Sequence, residues 1–111
     1  MRRIGMTMLF ALAAACASAP APTDRVASSQ ASIRAAEEMG AHNVPTAALH
    51  LQLANEELDQ SRQLIRAGRN DRARTLLMRA EADAELALTL ARESSMRAQA
   101  QQAMEHVHAL Q

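Results

Sequence analysis

Met104 and His108 are the two side chains in this sequence whose types and spacing best suit metal binding. They are four residues apart, which places them on one face of a helix, and copper is bound by both thioether and imidazole ligands. His106 and His108, in contrast, are two residues apart and lie about 200° from each other around a helix, so they cannot chelate one ion together. The simpler interpretation is that all three are exposed residues on the last turns of a helix. We therefore predict no metal site, and keep copper binding through Met104 and His108 as an alternative.

The other residue types that could do chemistry do not form a catalytic set. Glu81, Asp83 and Glu85 are close in sequence, but Asp83 lies about 200° from the other two around a helix, so we expect a solvated face and no acid–base pair. Ser61 has no histidine near it in sequence, and we expect its hydroxyl to bond to its own helix backbone. With three glycines in the chain there is no phosphate-binding loop. The sequence therefore predicts no catalytic residue, no cofactor and no enzyme.

Three helices are predicted to position these side chains. Residues 71–110 contain neither proline nor glycine and are rich in strong helix formers, so that one helix of about 60 Å is expected there. Gly40 and Gly68 stand where helices end, and Asn70 stands where a helix N-cap is expected. Thr23 or Asp24 is the expected N-cap of the first helix. The predicted helices are 24–39, 45–67 and 71–109.

Each predicted helix has one stripe of apolar or small residues, spaced alternately by three and four positions, which indicates its buried face. The stripes are Val26, Ser29, Ile33 and Ala36; Ala47, Leu51, Ala54, Leu58, Ser61 and Ile65; and Ala73, Leu77, Ala80, Ala84, Ala87 and Ala91. The three-residue loop 68–70 forces the second and third helices into an antiparallel hairpin. We therefore predict an all-α fold, an antiparallel helical hairpin or three-helix bundle with a long, overhanging C-terminal helix.

The overhang carries its own apolar stripe. The first two helices are long enough to cover the third only to about Glu93, and near Ser94–Ser95 the apolar face changes register, as it does at a coiled-coil stutter. Either the helix kinks there and folds back, or it projects and meets another chain; we favour projection. The predicted interaction surface is Met96, Ala100, Ala103, Val107 and Leu110.

Residues 1–15 have the pattern of an export signal, with Arg2 and Arg3 before an apolar run, 4–12, that is too short to span a bilayer. The sequence Leu12-Ala-Ala-Ala-Cys16 resembles the lipobox of bacterial lipoproteins, although Ala13 stands where the usual leucine would be. That resemblance implies cleavage before Cys16, acylation of Cys16 and, because Ala17 is not aspartate, anchoring in the outer membrane. Residues 16–23 would then be the lipidated cysteine and a Pro/Ala tether. The alternative is ordinary cleavage after Ala19, which leaves a proline first.

The net charge and the absence of lysine argue against two kinds of partner. The chain has 12 arginines, no lysine and 12 acidic residues; without residues 1–15 the net charge is −2, so that nucleic acid is not expected to bind. Some alanine-rich outer-membrane lipoproteins are joined to peptidoglycan through a C-terminal lysine. This sequence ends in Leu110–Gln111, and no covalent peptidoglycan link is expected.

A resemblance to a known family covers most of the helical part. The shared pattern is Glu38-Met-Gly-Ala41, Pro45 with Leu49, Ala54-Asn-Glu-Glu-Leu58, Gly68, Ala73-Arg74, Leu77 and Ala80-Glu-Ala-Asp-Ala-Glu-Leu-Ala87. It resembles the bacterial envelope family called domain of unknown function 4398, whose members are typically alanine-rich helical lipoproteins. A weaker likeness to one tetratricopeptide unit is limited to the spacing of Gly68, Ala73, Leu77 and Ala80.

The expectation for function follows from the anchor, the stripes and the lack of a catalytic set. We expect a non-enzymatic, lipid-anchored helical interaction module on the periplasmic face of the outer membrane, in contact with the membrane through its lipid and with a second copy or another envelope protein. The alternative is a periplasmic metal or small-ligand binding protein that uses Met and His residues of the last helix.

Overall fold

The computed structural model describes residues 18–111. The predicted signal, residues 1–15, and the predicted lipidation site, Cys16, lie outside the described residues. Within 18–111 the chain forms three α-helices and no strand, with a short 3₁₀ turn between the first two helices. The helices are α1, Thr23–Glu38; α2, Pro45–Arg66; and α3, Asn70–Ala109; the 3₁₀ turn is Ala41–Asn43. The predicted all-α class is confirmed.

The two loop glycines end helices as expected. Gly40 has φ +81° and Gly68 has φ +73°, a left-handed conformation that L-residues adopt only with strain. Pro45 is the first residue of α2, where a missing N–H removes no helical hydrogen bond. Because only Ala67, Gly68 and Arg69 separate α2 from α3, the two helices lie side by side and antiparallel.

α3 is the helix shared by the whole bundle, since both α1 and α2 pack along it. Its buried residues are Ala73, Leu77, Ala80, Ala84, Ala87 and Ala91, the six that make the predicted stripe. α1 buries Ser29, Ile33 and Ala36, and α2 buries Ala47, Leu51, Ala54, Leu58 and Ser61 together with Glu57, which the stripe did not include. Val26 and Ile65 are only partly buried.

Two predicted helix caps are wrong. α1 begins at Thr23 after Pro22, and neither Thr23 nor Asp24 bonds to a free N–H of the first turn. Asn70 is the first residue of α3 and not its N-cap; its Nδ2 donates instead to the carbonyl of Ala19, at 2.6 Å. The Oδ1 atom of Asn70, which a cap would use to accept an N–H of the first turn, is buried without a hydrogen-bond partner.

Beyond the bundle, α3 continues as a helix through Ser94 and Ser95 to Ala109. It does not fold back, because every residue from 96 to 111 is exposed. We call residues 92–109 the extension. No helix within the described part of the chain has a stretch long and apolar enough to cross a membrane.

Candidate interaction surface and polar layer

The extension, with Leu110 directly after it, exposes the apolar side chains that the sequence placed on one stripe. Met96 is 68% exposed, Val107 55% and Leu110 76%. Ala100 and Ala103 lie between them at the helical spacing that puts all five on one face. Large apolar side chains in one row, with no covering element among residues 18–111, form a surface on which another helix or protein can be buried.

The base of this surface is a shallow apolar groove that lies just after the last buried alanine, Ala91. Met96 and Ala100 line it, and Arg92, Glu93 and Arg97 border it. Arg97 and Glu93 form an ion pair one helical turn apart, which holds both charged heads beside the groove.

Met104 and His108 lie one turn apart on the exposed extension, as the alternative copper site requires. The Nδ1 atom of His108 is 2.9 Å from the Met104 carbonyl oxygen, which leaves Nε2 as the ring nitrogen facing solvent. Among residues 18–111 no three His, Cys, Asp or Glu side chains are grouped so as to hold a metal ion. Copper binding by this pair stays an alternative prediction.

Two of the three carboxylates that were expected to form a solvated face instead join the helices, whereas Glu85 is exposed as expected. Glu81 accepts hydrogen bonds from Ser28 and from Arg25, both on α1. Asp83 pairs with His50 on α2, with 2.7 Å between Asp83 Oδ1 and His50 Nδ1. The side chains of Glu81 and Asp83 are only 22% and 23% exposed. The prediction of a solvated face is therefore wrong for these two residues, because each points toward a different neighbouring helix.

Glu57 is the charged residue that lies deepest in the bundle, at 7% exposure. One carboxylate oxygen is 3.0 Å from Arg79, and the other, Oε2, is buried without a hydrogen-bond partner. Burial raises the pKa of Glu57 above its usual 4.5, and the nearby Asp83 carboxylate raises this pKa further, whereas Arg79 opposes the rise. We call His50, Glu57, Arg79 and Asp83 the polar layer.

One feature of the sequence indicates this layer. His50 and Glu57 are seven residues apart, two helical turns, and therefore share a face that adjoins the Leu51–Leu58 stripe. Ser61, in contrast, behaves as predicted, because its hydroxyl donates to the carbonyl of Leu58 at 2.6 Å.

Comparison with known protein families assigns the chain to one family. The sequence model of the family described as domain of unknown function (DUF4398) matches residues 24–103, nearly three quarters of the 111 residues. The chain belongs to the DUF4398 family. The matched DUF4398 region contains all three helices of the bundle and the first part of the extension, up to Ala103, and it stops before Val107 and Leu110. The predicted resemblance is thereby confirmed. No curated protein and no solved structure matches the chain.

Proposed function

We propose that this DUF4398 protein is a non-enzymatic, lipid-anchored helical interaction module of the bacterial cell envelope. In this proposal Cys16 carries the acyl chains, residues 16–23 are the tether, and the protein lies on the periplasmic face of the outer membrane. The export-signal pattern and the lipobox-like sequence before Cys16 support the anchor. The bundle presents the extension to a partner, which is a second copy or another envelope protein.

The observation that carries the proposal is the extension itself. Eighteen helical residues follow Ala91, and none of the large apolar side chains from Met96 onward is buried. Most of the stability of a helix in a protein comes from packing of its apolar face, and the extension has no such packing within residues 18–111. Burial of Met96, Val107 and Leu110 by a partner would stabilise both the helix and the complex.

The interaction surface is tested by photo-crosslinking in the living cell. A photoreactive residue placed at Val107, on the stripe, is compared with one at Gln102, on the other side of the same helix. We expect a discrete crosslinked product from Val107 and little from Gln102, and we expect Val107→Glu to abolish a product formed from position 96. Equal products from both faces, or no effect of Val107→Glu on crosslinking and on oligomeric state, would contradict the surface.

The anchor is tested separately by the intact mass of the protein from the membrane fraction, beside a Cys16→Ser variant. The proposal expects residues 16–111 plus acyl chains in the native sequence and no acylated species in the variant. An unmodified chain that begins at Pro20 or at Met1 would contradict both the lipid anchor and the proposed location at the outer membrane.

A further inference from the structure

Positive charge is concentrated at one end of the bundle. Residues 62–74, which cover the end of α2, the hairpin loop and the start of α3, contain five arginines and a single acidic residue, Asp71. The rest of residues 16–111 contains five arginines and eleven acidic residues. This end therefore has a formal charge of +4, and the remainder has −6. A separation of charge on this scale gives this end a surface potential opposite to that of the rest of the bundle.

Three of the five arginines at this end are available to a partner. Arg66, Arg69 and Arg72 are exposed, and within residues 18–111 none of them has a carboxylate within ion-pair distance. Arg62, by contrast, is held by Asp59 at 2.9 Å. We call Arg66, Arg69 and Arg72 the basic end.

The chain enters the bundle at this same end. Asn70, between Arg69 and Arg72, donates a hydrogen bond to the Ala19 carbonyl, which fixes residue 19 beside the hairpin loop. Cys16 precedes Ala19 by three residues, which reach at most about 11 Å even when fully extended. An acyl chain on Cys16 would therefore enter a membrane close to the basic end and far from the extension.

An apolar groove of about 690 Å³ opens at the basic end, between α2 and α3. Leu64, Ala67 and Leu76 line it, and Arg69 and Arg72 lie at its margin. Guanidinium groups beside an exposed apolar surface match the phosphate groups and upper acyl carbons of a phospholipid layer.

We propose that the basic end is a docking surface for an anionic phospholipid layer, and that this contact holds α3 with its extension pointing away from the membrane. The contact itself rests on the arginines and the groove; its location at the anchored membrane rests on the proposed function. Arg66, Arg69 and Arg72 bind headgroup phosphates. The Ala19–Asn70 hydrogen bond holds the tether against the hairpin loop, so that this end of the bundle stays next to the membrane.

The contact is tested with vesicles and the full chain carrying Cys16→Ser, which removes the acylation site. Binding to vesicles that contain phosphatidylglycerol is compared with binding to phosphatidylcholine vesicles, so that any contribution of the apolar run 4–12 is common to all samples. The variant Arg66→Gln/Arg69→Gln/Arg72→Gln is matched with Arg34→Gln/Arg92→Gln/Arg97→Gln, which has the same net charge. We expect the first triple variant to lower affinity for the anionic vesicles about a hundredfold, at about fivefold per arginine, and the second to change it little.

High salt should weaken the native contact, since the charges on both sides are exposed. An equal loss of affinity in the two triple variants would overturn the contact. So would equal binding of anionic and phosphatidylcholine vesicles by the protein that keeps all its arginines.

Orientation is tested on the acylated protein in vesicles, where a Cys16 thioether leaves an introduced cysteine as the sole thiol. A fluorophore is attached at Gln63→Cys, on the last turns of α2, or at Gln102→Cys, which lies about 48 Å along α3 from Asn70. Energy transfer to labelled headgroups should be strong from position 63 and weak from position 102; equal transfer would overturn the orientation. Loss of the acylated mass would count against the proposed function alone, because the vesicle preference of the Cys16→Ser chain does not depend on acylation.

Discussion

His50 on α2 and Asp83 on α3 face each other across the bundle, with 2.7 Å between His50 Nδ1 and Asp83 Oδ1. The two side chains are 28% and 23% exposed and lie beside a core made mainly of alanine. Small apolar side chains fit one another in several registers, whereas a polar pair fits in one. We infer that this pair, with Glu57 and Arg79, fixes the register of α2 against α3.

Replacing His50 should destabilise the hairpin. His50→Ala leaves Asp83 partly buried without its partner and close to Glu57, so that we expect the free energy of unfolding to fall by about 1–3 kcal/mol. Urea denaturation measures the change, with His42→Ala as the control because His42 is exposed on the 3₁₀ turn. Equal, small effects of the two substitutions would show that the pair contributes nothing to stability.

Glu57 should make stability depend on pH. Its pKa in the folded protein is raised above 4.5, so its contribution to folding is fully present below pH 4.5 and is lost as pH rises through the folded-state pKa. The groups that face it are Arg79 and Asp83 on α3, with His50 bonded to Asp83. The free energy of unfolding of the native protein minus that of Glu57→Gln should therefore fall as the pH is raised from 4.5. Denaturation at a series of pH values measures this difference, and a difference that rises with pH would contradict the assignment.

The alanine stripe of α3 should not tolerate larger side chains. Ala84 has no exposed surface, so that Ala84→Leu would force α3 away from the helices packed on it and lower the free energy of unfolding by about 1–3 kcal/mol. Ala82→Leu, on the exposed side of the same helix, should change it by no more than about 0.5 kcal/mol. Thermal or urea unfolding of the two variants distinguishes close packing from a general effect of leucine.

Asn70→Ala should release the tether from the hairpin loop. The variant loses the Ala19–Asn70 hydrogen bond, whose net contribution is about 0.5–1.5 kcal/mol. Amide exchange at Val26, whose N–H bonds to the Pro22 carbonyl at the first turn of α1, should become faster. Asn55→Ala is the control, since the Asn55 amide bonds to Leu51 in its own helix; an unchanged Val26 amide in Asn70→Ala would show that the tether is held by other contacts.

The helices and their buried stripes could be predicted because both depend on local chemistry. Helix propensity, glycine stops and a spacing of three and four lie within a few turns of chain, and the six buried residues of α3 follow from that spacing alone. The polar layer could not be predicted in this way, because His50 and Asp83 are 33 residues apart and their meeting depends on the rotation of one helix against the other.

Asn70 is a second residue whose partner could not be predicted from the local sequence. Its position beside Gly68 and Asp71 is typical of an N-cap, but its Oδ1 accepts no N–H of the first turn. Its Nδ2 donates instead to the Ala19 carbonyl, 51 residues away in sequence. Glu81 was likewise predicted to be solvated, but in the folded chain it accepts hydrogen bonds from Ser28 and Arg25 on α1. Local patterns identify which residues are buried, and long-range partners decide what the polar ones do.

The alanine stripe of α3 also determines how the protein responds to temperature. The heat-capacity change of unfolding grows with the apolar area that unfolding exposes, and it averages about 12–15 cal/mol/K per residue in globular proteins. A bundle whose central helix buries five alanines and one leucine, with an extension that buries almost nothing, exposes less apolar area than usual when it unfolds. Calorimetry should find a heat-capacity change per residue below that average. The stability curve would then be unusually flat, and cooling would weaken this fold less than it weakens a protein with an aromatic core.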